Sequence, residues 1–298
     1  MALLLSIAAY ACLLCFVLGC VRRVRQYAST PKHLRWELYP VPHQPWQQAR
    51  HGGSYFEQSE WWRNPRRKNR IGELRVMLEE VVTLKSVRLA NRNLWWRSQL
   101  FHLGLYCLVT AFVLTLLSDV AGATVLSRTV AWFGRLGLLL MFIGSCALLW
   151  KRMRDPELLN STHSSDFIQL GLVVLGTALM LTGSLSASAP SALVLIHALA
   201  TGEHISMPFT FALGVLIALA VVAYIPYSRM AHFIAKYFAY HQVRWDDEPL
   251  QGPKLKSVFA QNLRYSPTWS APHILGDGKR TWSEISRENP ASLPGAGK

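Results

Sequence analysis

The sequence predicts an all-α integral membrane protein, a five-transmembrane-helix bundle with its N-terminus outside and its C-terminus cytoplasmic. Three observations predict it. Hydrophobic residues make up 51% of the 298 residues and charged residues only 16%, against about 25% charged in soluble domains. The apolar residues fall in five blocks, each near the roughly 20 residues that cross a hydrocarbon core as a helix. The basic residues, which give the net charge of +14, crowd into alternate connections between those blocks. The same composition excludes a soluble globular enzyme, a disordered chain and a disulfide-stapled secreted domain.

The first block, residues 2–21, runs almost without a polar group. It is too long for a signal peptide, has no basic region before it and lacks a small-residue cleavage site, so it reads as a retained helix. The second, 99–118, holds His102, and the third, 129–150, holds Arg135. The fourth, 166–187, opens on Asp166, and the fifth, 207–231, follows Pro208. The connection from Arg22 to Arg97 is rich in arginine and lysine, the one after span three carries Lys151, Arg152 and Arg154, and Arg229 and Lys236 follow span five. The two remaining connections, 119–128 and 188–206, share a single basic residue, Arg128. Basic connections face the cytoplasm, which sets the orientation. The positive charge is thereby a topology signal, and nucleic acid is not an expected partner.

Four regions follow: a first transmembrane helix over 1–27, a basic cytoplasmic insert over 28–98, a four-helix membrane region over 99–240 and a cytoplasmic tail over 241–298. The insert opens with TPKHLRWELYPVPHQPW (30–46), whose prolines keep it from being helical. Residues 70–93 then read as an amphipathic helix with Ile71, Leu74, Leu78, Val81 and Leu84 on one face, suited to a membrane interface or a partner. The tail is polar and proline-rich, with Trp269 and Trp282. Its length is too small for a core of its own, so it is expected to lie against another subunit.

Ionisable groups inside membrane helices are costly and therefore mark function. Span two runs inward to outward and span five the reverse, so His102 and His232 sit at one depth near the cytoplasmic face. Two imidazoles so placed suit the axial ligation of a haem b; they equally suit interfacial residues bonded to headgroups or backbone. Arg229, three residues before His232, fits a haem propionate or a headgroup. Arg135 requires a polar partner, such as a quinone carbonyl or a propionate, or else snorkels to the outer interface. Asp166 reads first as a helix-start residue, with a proton relay as the alternative. Cys12 and Cys15 have a redox spacing but stand alone in an apolar helix, and the five cysteines read as small apolar residues. His33, His43, His51, His241 and His273 form no metal-binding spacing, and the pairs Trp61-Trp62 and Trp95-Trp96 belong at the interface. No catalytic triad, glycine-rich phosphate loop, paired acidic site or CxxC…C iron–sulfur run occurs in the sequence.

LFHLG (100–104) and PYSRMAH (226–232), together with the five spans, resemble the b-type cytochrome (gamma) subunit of respiratory nitrate reductase. The insert TPKHLRWELYPVPHQ and the tail motifs RWDDEP, WSAPH and GDGKRTW look closer to one subgroup of that superfamily. Its members are the cytochrome b subunits of the Dsr, Tmc and Hmc complexes and of membrane heterodisulfide reductase. The resemblance implies haem b on His102 and His232. The family's second, outer haem has its ligands at the positions of Phe112 and Gly214 here, and neither can bind iron. One haem is expected; a second would have to be rebuilt from His197 or His204.

The function this implies is an electron-transfer subunit of a respiratory complex in the cytoplasmic membrane of a prokaryote. It would pass electrons between a membrane quinone, menaquinone or another, and a cytoplasmic iron–sulfur subunit of the heterodisulfide-reductase type. Further membrane subunits and a periplasmic cytochrome c would belong to the same assembly. Arg128 and Arg135 are the candidates for an outer quinone pocket. The alternative is a haemless membrane anchor that recruits a cytoplasmic redox enzyme.

Overall fold

A computed structural model describes residues 2–30, 41–42, 58–60, 63, 69–121, 127–246, 253–271 and 274–288. Most of the proline-rich stretch 30–46, His33, His43, His51, His273 and Trp61-Trp62 lie outside the described residues. The chain forms two compact units. The first joins Met1–Arg23 to Arg75–His232, and the second joins Val24–Leu74 to Phe233–Lys298.

Among the described residues five helices are long and apolar enough to cross a membrane. They contain or follow the five predicted blocks: α1 (Ala2–Ala28), α4 (Arg92–Ala121), α5 (Ser127–Arg154), α7 (Ser164–Gly183) and α9 (Phe209–Tyr224). Between them lie α2 (Arg70–Thr83), α3 (Lys85–Ala90), α6 (Pro156–Ser161) and α8 (Ala192–Thr201). After α9 come two single 3₁₀ turns, Ile225–Tyr227 and Arg229–Ala231, and then α10 (His232–Phe238). Pro226 supplies the break, since its ring cannot continue the hydrogen-bond ladder.

The first unit is a chain of packed neighbours: α4 on α5, α5 on α7, and α7 on α9. Glycine makes the first contact possible. A methyl group on Gly104 would collide with the backbone of Met141, and one on Gly144 with the backbone of Phe101, so α4 and α5 meet backbone to backbone as small residues allow in membrane bundles. Helix α1 seats Leu5 against Phe211 and Val215, and Ser6 and Tyr10 donate to the carbonyls of Ala198 and Ala200 on α8. Lower down, Arg23 Nε donates to the Pro226 carbonyl at 2.7 Å, fixing the break after α9. Helix α6 starts where Asp155 caps it and Pro156 opens it, a favoured pairing. Lys151 donates to the Asp155 carboxylate, which chiefly for that reason is held below the usual carboxylate range.

The expected amphipathic helix over 70–93 is interrupted. Leu84 takes a left-handed conformation, φ 47°, and separates α2 from α3. The cause is tertiary. Trp95 Nε1, Gln99 Nε2 and Tyr106 OH on α4 donate to the carbonyls of Thr83, Val82 and Val81. Those last-turn carbonyls lack partners within their own helix, and the β-branched run Val81–Thr83 has little helical preference to resist the break. Glu80, 2% exposed, accepts the Ser86 amide across the gap. Ile71, Leu74 and Leu78 are exposed.

The second unit contains most of α10, a π-helical turn over Ala239–Arg244, α11 (Pro253–Asn262), a two-residue hairpin of β1 (Ser270–Ala271) with β2 (Ile274–Leu275), and α12 (Trp282–Ile285). Ile274 and Ile285 are buried, and Trp282 N and Ser283 N donate to the carbonyls of Tyr265 and Leu263. The tail therefore has a small folded centre, where the sequence pointed to a segment without one. Arg280 ties it together through Asp277, Glu288 and the Leu275 carbonyl.

Candidate functional site

The two histidines come together. His102 lies on α4, and His232 is the first residue of α10. Their ring centroids are 6.1 Å apart, with the ring planes at 69°. A metal held axially by two imidazoles, at about 2.0 Å per bond, places the ring centroids about 6 Å apart. Rotation about that axis leaves the interplanar angle open.

The backbone sets the tautomer of each ring. His102 Nδ1 donates to the Ser98 carbonyl at 2.7 Å, and His232 Nδ1 to the Arg229 carbonyl at 3.2 Å. A carbonyl can only accept, so the proton is on Nδ1 and the lone pair on Nε2. That is the arrangement in which ligating histidines are held. The donor chemistry of the pair is that of haem ligands.

Both carriers are held firmly. His102 shares one helix face with Trp95, Gln99 and Tyr106, the three side chains that bind the last turn of α2. His232 follows the 3₁₀ turn of Arg229, whose guanidinium pairs with Asp166 at 3.3 Å and donates to the Ser161 carbonyl at 2.9 Å. Asp166 is the third residue of α7 and also accepts the His163 amide, so the helix-start reading of the sequence holds. It has a second task that the sequence did not reveal, joining α7 to the turn before His232.

The other expected residues stand apart. Arg128 and Arg135 are exposed in the first half of α5. Gly144 of that helix packs on Phe101, beside His102. Nine residues separate Arg135 from Gly144, or about 13 Å of helix. His197 lies 3.8 Å from Glu203. Phe112 is 51% exposed, and a methyl group on Gly214 would run into Met180 of α7, so packed helices occupy that level. His241 stacks on Tyr237, centroids 4.1 Å apart. The five cysteines are free thiols, and no cluster of three or more metal-binding side chains occurs among the described residues.

Two polar side chains escaped sequence reasoning. Gln169 lies inside span four, 3% exposed, and among the described residues its Nε2 and the buried Nε of Arg152 meet no acceptor. The signal for the first was in the sequence, as a lone amide within an apolar block.

Residues 79–246 match the nitrate reductase gamma subunit family, a stretch that begins near the end of α2 and includes both histidines. No curated protein and no solved structure gives a significant match to the chain. The matched stretch covers more than half of the sequence, and it contains four of the five spans and the histidine pair: the chain belongs to the nitrate reductase gamma subunit family of membrane cytochromes b, electron-transfer subunits of multi-subunit redox complexes.

Proposed function

We propose that this protein carries one haem b, ligated by Nε2 of His102 and His232, and passes electrons between a membrane quinone and a cytoplasmic iron–sulfur subunit. The observation that carries the proposal is the pair itself: two imidazoles 6.1 Å apart, each with its Nδ1 proton committed to a backbone carbonyl. Bound haem supplies one-electron transfer. The protein's part is to hold both rings in the ligating tautomer and to fix their carriers through Arg229, Asp166 and the bonds from α4 to the last turn of α2. A count of one is supported by the outer level, where Phe112 faces outward and Gly214 is closed against Met180.

The finer assignment rests on the resemblance of the insert and tail to the Dsr, Tmc, Hmc and heterodisulfide reductase subunits. It makes the quinone menaquinone or a relative, and the partner an iron–sulfur subunit of the heterodisulfide-reductase type. Further membrane subunits and a periplasmic cytochrome c complete the assembly in a prokaryotic cytoplasmic membrane. Arg229 is a candidate propionate partner, and Arg128 and Arg135 are candidates for an outer quinone site.

A dithionite-reduced minus oxidised spectrum of the purified protein, with haem b quantified per chain, tests the proposal. About one haem per chain is expected, and none in His102→Ala or His232→Ala. Haem-replete single variants would overturn the ligand assignment. A folded wild-type protein without haem would turn the reading to the membrane anchor.

A further inference from the structure

The short corner between α6 and α7 gathers two guanidinium groups. Arg229 donates to the Ser161 carbonyl, and Arg152 reaches the hydroxyl of the next residue, Thr162, at 3.5 Å. Asp166 pairs with Arg229 at this corner, and Asp155, which caps α6, is taken by Lys151. Arg152 is left with a half-buried charge and a buried Nε–H that meets no acceptor among the described residues. A buried donor without an acceptor is costly, and more so on a charged group. Among the described residues the corner therefore carries one positive charge and one hydrogen-bond donor without an answering group.

Its position says what would answer them. The carbonyl of Arg229 takes the Nδ1 proton of His232, so the corner lies one turn of chain from the iron-ligand candidate. Arg152 is eight residues beyond Gly144, and Gly144 packs on Phe101 next to His102. Eight residues of helix are about 12 Å, toward the end of the bundle where the basic connections lie. A haem held by His102 and His232 would bring two carboxylates to this part of the bundle, and a carboxylate is the partner a guanidinium takes best.

We propose that Arg152 is a propionate-binding residue, whose guanidinium would donate to a carboxylate of the haem. The inference rests on the haem reading above and adds the residue that the sequence did not single out. Arg229, the candidate in the sequence, has its charge already met by Asp166, whereas Arg152 has not. A guanidinium next to a propionate favours the reduced haem, because it offsets the negative charge that reduction makes more costly.

The test is a redox titration and a haem-retention assay on purified Arg152→Gln, Arg152→Lys and Arg154→Gln proteins. Arg154 ends the same helix but stacks over Trp150 at 4.5 Å, so it controls for bulk charge. Arg152→Gln should keep its haem and low-spin spectrum, because the histidines are untouched. Its midpoint potential should fall, and it should lose haem to apomyoglobin faster than the wild type. Arg152→Lys should recover part of the potential without the retention, and it decides the matter if Arg152→Gln does not fold. Arg154→Gln should match the wild type. A wild-type potential and retention in Arg152→Gln, or an equal shift in Arg154→Gln, would overturn the assignment. A shift that appears in vesicles of anionic phospholipid but vanishes in pure phosphatidylcholine would make the anion a negatively charged lipid headgroup instead. A wild-type protein without haem would fail the underlying reading, and is recognised before any variant is made.

Discussion

His102 and His232 are restrained more tightly than residues of an interfacial belt need be. Each ring is pinned at Nδ1 by a carbonyl of its own turn, and the planes stand at 69°. Ligand planes near perpendicular remove the in-plane splitting of a low-spin ferric haem. The ferric protein should accordingly give a strongly anisotropic low-spin electron paramagnetic resonance signal. A rhombic signal typical of parallel rings would show that the rings turn on binding. Asp166 acts on this geometry from one residue further away. Its bond to Arg229 is largely solvent-exposed on the arginine side, so it is worth about 1 kcal/mol or less. Asp166→Asn should therefore leave the haem in place and the protein folded. The turn before His232 would be freer, and a broadened resonance is the expected sign; an unchanged line shape would limit Asp166 to starting α7.

At the scale of elements, the spans and both histidines were legible in the sequence because each depends on its own segment: an apolar block of sufficient length, and a polar residue within it. What could not be read there depends on contacts from elsewhere. The break at Leu84 arises from three donors on α4, spaced as one helix face around His102, and nothing in residues 70–93 announces it. The same holds for Asp166 and Arg152, whose partners are set by how α5, α6 and α7 turn the corner. Gln99→Leu should free one carbonyl of the α2 last turn, and amide exchange over 81–86 should quicken while the spans stay protected; unchanged exchange would place the cause of the break elsewhere. The packing of α4 on α5 is a stronger dependence. Gly144→Ala puts a methyl group into the Phe101 backbone, an overpacking of about 1–3 kcal/mol, directly beside His102. Loss of the haem absorbance on heating should come at a lower temperature than in the wild type, whereas Gly134→Ala, with open space around it, should behave as the wild type does.

Across the whole molecule the family match covers four spans and leaves the first span, most of the insert and the tail outside it. The tail nevertheless has its own hydrogen-bonded order. The Arg280 and Lys279 amides and the Arg280 guanidinium hold the Asp277 carboxyl down to about 2. A depressed carboxyl contributes stability that is complete above its unfolded value of about 3.9 and is lost as pH falls through about 2. Asp277→Asn should remove that contribution at neutral pH, read as faster amide exchange at Lys279 and Arg280.

Whether this tail meets a cytoplasmic partner depends on which way the bundle is inserted, and charge decides that. The connections rich in lysine and arginine, 22–97 and 151–154, open at the same end of the spans as the segment after span five, while 119–128 and 188–206 hold Arg128 alone. Short basic connections remain on the cytoplasmic side during insertion, so the histidine pair, the Arg152 corner and residues 245–298 should all face the cytoplasm. With an epitope fused after Lys298, protease added to inverted membrane vesicles should remove the epitope, and protease added to intact spheroplasts should not. The reverse pattern would place both histidines at the outer face. A cytoplasmic iron–sulfur partner would then have no access to them, and the proposed electron route between quinone and that partner would fail.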